Sequence, residues 1–148
     1  MPTSKEFSDT YNLDRFIQAQ EEVYADVLAE LQNGRKRTHW MWFIFPQVEG
    51  LGRSALATFY AIKNLDEATQ YLNHTVLGTR LLECSNTVLG LQGRSVEDVF
   101  DWPDDLKLRS SMTLFTYVAG SGSIFDEVLQ RYFQGERDQR TLELLGKI

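Results

Sequence analysis

The 148 residues fit one domain, and 43 % hydrophobic with 24 % charged side chains mark a globular chain with a core, not a disordered one. A formal net charge of −6 argues against general affinity for nucleic acid or anionic membrane, and the longest apolar run, residues 40–45, falls far short of the roughly 20 residues of a membrane span. The single cysteine, Cys84, excludes an intramolecular disulfide and a cysteine-built metal site. The polar start Met1-Pro2-Thr3-Ser4-Lys5-Glu6 lacks a signal-peptide core, so a cytoplasmic location is expected.

In chain order, the first predicted element is one helix over residues 13–32. Phe16, Ala19, Val23, Val27 and Leu31 recur at spacings of three and four, with Asn12 as cap and Asn33-Gly34 as a left-handed stop. After the basic run Arg35-Lys36-Arg37, Thr38 is placed to cap a short helix through Trp40-Met41-Trp42-Phe43-Ile44, which Pro46 ends. Gly50-Leu51-Gly52-Arg53 reads as a loop and Ser54 as the cap of a helix through Ala55, Phe59 and Ile62. Asn64-x-x-Glu67 is a capping-box pattern before Ala68, Tyr71 and Leu72.

An apolar stripe through Leu77, Leu81, Cys84, Val88 and Leu91 follows, stopped near Gly93, and Ser95-x-x-Asp98 opens a short turn. Asp101-Trp102-Pro103 breaks the chain before a helix over residues 104–118. Gly120-Ser121-Gly122 is a hinge, Ser123-x-x-Asp126 caps a helix through Ile124, Val128, Leu129 and Phe133, and Gly135 stops it. A short helix over residues 139–145 comes last. Phe43-Ile44-Phe45 and residues 113–118 compete as strands, but too little turn punctuation precedes the second, so both read as helix. The expectation is one all-α, compact multi-helix domain over residues 1–148, not a simple four-helix bundle, with residues 1–11 as a poorly ordered arm.

Three places break the pattern, and broken patterns mark candidate sites. Gln20 lies within the apolar arc of the first helix, where its amide must either bond a neighbouring loop backbone or reach a ligand. Residues 35–54 hold His39, Trp40 and Trp42 between the cations Lys36, Arg37 and Arg53, ahead of Ser54. They read either as a core plug with a cation-dressed helix end, or as a site for an anionic, base-containing ligand. Residues 40–45 are expected to be substantially buried, Trp42 with them.

The third place is Asp104-Asp105-Leu106-Lys107-Leu108-Arg109-Ser110-Ser111. Asp104, Lys107 and Ser111 share one edge of a helix there, and Asp105 and Arg109 pair at i, i+4 on the other. A solvated helix start explains the acids; a pocket rim, with Lys107 orienting a carbonyl or phosphate, explains the rest. Two isolated histidines, His39 and His74, make no metal pair, and no dinucleotide, kinase or nucleophile-elbow motif is present. No metal and no cofactor are therefore expected.

These segments carry a resemblance. Leu13-Asp14-Arg15-Phe16 with Ala19-Gln20, the run from Gly34 to Gln47, Gly50-Leu51-Gly52-Arg53-Ser54, Leu77-Gly78-x-Arg80-Leu81 and the run from Asp104 to Phe115 are similar to a widespread bacterial family of unknown function. Some members have carried the name calpastatin, misleadingly, since nothing here looks like a disordered protease inhibitor. The resemblance implies a mainly helical fold and no established activity or catalytic residue.

The leading expectation is a pocket for a small anionic or nucleotide-like molecule. Gln20, Lys36, Arg37, His39, Trp40, Trp42, Arg53, Ser54 and Arg109 are its binding candidates, and Asp104 and Lys107 its catalytic candidates for hydrolysis or group transfer with an aspartate base. Gln20 and Lys107 are expected to face one cleft floored by His39-Trp40. The competing expectation is a non-enzymatic module whose tryptophan segment docks a protein.

Overall fold

A computed structural model describes residues 9–147. Within them the chain forms ten helices and no strand, in the order α1 Asp14–Glu21, α2 Tyr24–Gln32, α3 Met41–Ile44, α4 Ala55–Phe59, α5 Leu65–Asn73, α6 Thr75–Leu89, α7 Val96–Val99, α8 Asp104–Ala119, α9 Ile124–Phe133 and α10 Gln139–Leu144. Among the described residues the one sheet-like contact is a parallel bridge between Val48 and Ile62.

The core is built around α8, buried at every residue from 110 to 116 because α5, α7, α9 and α10 all pack on it. A helix covered on several sides has no polar face to spare. Hence Ser110, Ser111, Thr113 and Thr116 are buried beside Met112, Leu114 and Phe115. The second organiser, α6, packs against α1, α2, α3, α5 and α9. Its close approach to α5 depends on Gly78, where an added Cβ would lie 1.9 Å from the Leu72 carbonyl oxygen.

The expected caps at Ser54, Asn64, Ser95 and Ser123 are present, each side chain accepting from the backbone N–H three residues on. Gly34, at φ 75°, closes α2 with the Arg35 N–H bonded to Glu30 O at 3.0 Å.

Five local expectations are corrected. The single helix over residues 13–32 is broken after Glu21: Val23 N–H bonds Gln20 O at 3.1 Å, a tighter turn than the α pattern. Asn12 is not the cap. It takes a left-handed φ of 55°, and the Asp9 carboxylate, outside the helix, accepts from Leu13 N and Asp14 N at 2.7 and 3.1 Å. Thr38 does not cap α3, because its hydroxyl is drawn to Glu30 Oε2 at 2.6 Å. Glu67 does not complete a capping box with Asn64. Its Oε1 accepts from Lys63 N, and its Oε2 pairs with Arg15 at 2.9 Å in the interior.

The helix expected to reach Ile62 ends at Phe59, since Ile62 N donates to Gln47 O and its carbonyl accepts from Glu49 N, both at 2.8 Å. Of the expected N-terminal arm, residues 1–8 lie outside the described residues. Residues 9–11 are tied down by the Asp9 cap and by Tyr11 Oη donating to Asp66 Oδ2 at 2.8 Å.

Candidate functional site

The connector between α2 and α3 carries the basic run, and its three cations part company. Arg35 turns to the α7 end, pairing with Asp101 at 3.0 Å and donating to Asp98 O. Arg37 is exposed. Lys36 turns inward: its backbone N–H holds Val99 O at 2.8 Å, and its ammonium reaches Asp104 Oδ2 at 2.8 Å. With 9 % of the side chain exposed, that ammonium requires the carboxylate.

On the other oxygen of Asp104, Oδ1, sits Lys107 at 3.6 Å, one helical turn further along α8. Each ammonium also lies over an indole, Lys36 5.1 Å from the Trp40 ring centre and Lys107 5.2 Å from that of Trp42. Five of the sequence candidates, Lys36, Trp40, Trp42, Asp104 and Lys107, therefore meet in one place.

Two cations against one carboxylate leave one positive charge in excess. Lys36 is sealed, whereas Lys107 is 26 % exposed and its contact with Asp104 is longer, so its three N–H donors are not all filled among the described residues. Trp42 is only partly buried, which corrects its expected place in the core; Trp40, at 1 % exposure, holds that place beside Phe45 and Phe100.

The segment leading into α3 is fixed by Glu30 of α2. Its carboxylate accepts from Arg37 N at 2.7 Å, Thr38 N at 3.0 Å, the Thr38 hydroxyl and the Trp40 indole N–H at 2.9 Å. Partial burial pushes the Glu30 carboxyl upward. The hydrogen bonds from Thr38, from the Arg37 and Thr38 backbone and from Trp40 outweigh burial and take it down to about 2.

Gln20 is buried at 1 % exposure and has no free face for a ligand. Its amide donates to Phe43 O at 2.7 Å and to Tyr71 Oη at 3.1 Å, and its Oε1 accepts from Arg80 at 3.3 Å. Burial raises the Tyr71 phenol above its usual value, so it stays protonated and donates to the same Phe43 carbonyl. Gln20 and Lys107 thus touch consecutive residues of α3. The first anchors the backbone at Phe43, the second covers Trp42, and they do not share a cleft floored by His39-Trp40.

The remaining candidates lie apart from this cluster. His39, Arg37 and Arg53 are exposed, and among the described residues no side-chain hydrogen bond or ion pair joins them to it. The Ser54 hydroxyl is used in capping α4, accepting from Ala57 N at 3.1 Å. Arg109 pairs with Glu136 at 3.5 Å, which replaces the expected Asp105–Arg109 pair.

Sequence reasoning missed Arg80, whose guanidinium lies 4.8 Å from the Tyr24 ring centre and reaches Glu21 at 3.7 Å, so that α6 grips both sides of the α1–α2 break. Beside it, burial pushes the Cys84 thiol up to about 12, leaving it a packed apolar group rather than a nucleophile. Among the described residues no helix is long and apolar enough to cross a membrane, and no three His, Cys, Asp or Glu side chains are grouped to hold a metal ion.

Comparison with known proteins gives a relationship without an activity. Residues 10–145 match a family described as protein of unknown function (DUF1810). The crystal structure of the conserved hypothetical protein Rv1873 from Mycobacterium tuberculosis is similar at 51 % identity and a TM-score of 0.91, over 93 % of this chain and 99 % of that one. No match was found among curated proteins.

Proposed function

The chain belongs to the DUF1810 family of proteins of unknown function, and from that premise we propose that it binds a small anionic or nucleotide-like molecule at Lys107 and Trp42. The observation that carries this reading is the placement of Asp104 between two ammonium groups, each over an indole. Lys36 and Asp104 form the fixed half of the arrangement. Lys107 is the half with unused donors, and an oxyanion beside it would form charge-assisted hydrogen bonds. The partly exposed Trp42 indole adjoins that position and suits a planar ring carried by the same ligand.

Asp104 has an ammonium on each oxygen, which makes it a positioning group for Lys107. The reading is therefore binding, with no reaction step assigned.

A second reading, a protein-docking surface, is favoured by one observation: Trp102, just before α8, is 77 % exposed and Leu106 43 %. A thermal-shift screen of nucleoside monophosphates and sugar phosphates separates the two. The binding reading expects a ligand at about 100 times its dissociation constant to add ~2.7 kcal/mol, or roughly 5–10 °C in a chain of this size. The same ligand should lose about half of that effect or more on Lys107→Met and keep it in full on Trp102→Ala. No stabilisation by any compound would favour the docking surface.

A further inference from the structure

At the far end of α8, about 20 Å along the helix from Asp104, a cleft of about 380 Å³ opens between α8, α10 and the turn after α8. Thr116, Tyr117, Ser121, Arg137, Leu142 and Lys147 line it, and no acidic residue does. Three features bear on what it holds. Lys147 lies 5.3 Å from the centre of the Tyr117 ring and pairs with no acid among the described residues. Arg137 spends one nitrogen on Asp126 at 3.0 Å and another on Gly135 O at 3.0 Å, leaving N–H donors over. The Thr116 hydroxyl, in a residue 6 % exposed, is buried with no hydrogen-bond partner among the described residues. Such a group is costly to leave unmatched.

The carbonyl end of α8 would repel an anion on its own. Lys147, with no acidic partner among the described residues, offsets that end, Arg137 adds the donors that Asp126 and Gly135 leave over, and Leu142 and the Tyr117 ring supply apolar wall. We propose that this cleft is a second binding site, separate from Lys107, for a small organic oxyanion, a carboxylate or phosphate on a compact apolar body. Lys147 and Arg137 hold the charge, and the Thr116 hydroxyl donates to one of its oxygens.

Backbone amide spectra of the full chain, titrated separately with sodium benzoate and inorganic phosphate, test this. The expected result is saturable shifts at Gly120, Ser121 and Leu142 with a dissociation constant near about 1 mM, weakened at least about tenfold in Lys147→Met and about fivefold in Thr116→Val, and unchanged in Lys107→Met. Response to benzoate alone assigns a carboxylate ligand, and response to phosphate alone a phosphate. No shift with either probe, or undiminished shifts in Lys147→Met, overturns the site. Wild-type affinity in Thr116→Val overturns the role of the hydroxyl.

Discussion

Trp40 and Trp42 stand two residues apart on one short segment and do different work. Trp40 is enclosed by Phe45, Phe100 and the Lys36 ammonium and donates its indole N–H to Glu30, whereas Trp42 is a partly exposed platform under Lys107. Trp40→Ala is expected to cost ~3–5 kcal/mol, the range for a large aromatic removed from a core, and Trp42→Ala below ~1.5 kcal/mol; urea denaturation of the two variants measures both. The four hydrogen bonds on Glu30 have a pH signature. Its carboxyl, at 4.5 when free and about 2 in the fold, contributes stability fully above about pH 4.5, lost as pH falls toward 2. The carboxylate is partly exposed, so the effect is discounted to ~1–2 kcal/mol. Denaturation midpoints of Glu30→Gln and wild type should differ at neutral pH and converge near pH 2; a constant gap down to that pH would contradict the assignment.

At the scale of elements, four caps are legible in the sequence. Ser54, Asn64, Ser95 and Ser123 cap their own helices, and a cap depends on residues within one turn of it. Asn12 and Thr38 failed for the opposite reason: Asp9 and Glu30, from outside the predicted elements, took over the groups concerned. The α1–α2 break was hidden because the apolar spacing runs on through Val23 and Val27. Only the folded chain shows Arg80 gripping Gln20 and Glu21 on one side of it and Tyr24 on the other. Gly78 is another such case, a glycine inside a helical stripe whose reason is the α5 backbone. Gly78→Ala must push α5 and α6 apart, because the obstacle is a backbone carbonyl that cannot rotate away. A loss of at least ~2 kcal/mol in chemical denaturation is expected; a neutral effect would mean the crossing can relax.

For the whole molecule, the all-α architecture is legible in periodicity and capping, and folding places Lys36, Trp40, Trp42, Asp104 and Lys107 together. Gln20 was singled out correctly as an anomaly, yet its partners are Phe43, Tyr71 and Arg80, distant in sequence and invisible to spacing. Arg37, His39, Arg53 and Arg109 were grouped with the site by neighbourhood in the chain, which does not determine neighbourhood in space. The geometry separates a sealed pair, Lys36 and Asp104, from an open cation, Lys107, and the proposed binding rests on that asymmetry. Calorimetric titration of wild type and Lys107→Met with the most stabilising nucleotide or sugar phosphate tests it most directly. The account predicts equal melting temperatures without ligand and an affinity reduced about 10- to 100-fold in the variant, the worth of one charge-assisted bond. Equal affinity in the two proteins would contradict it.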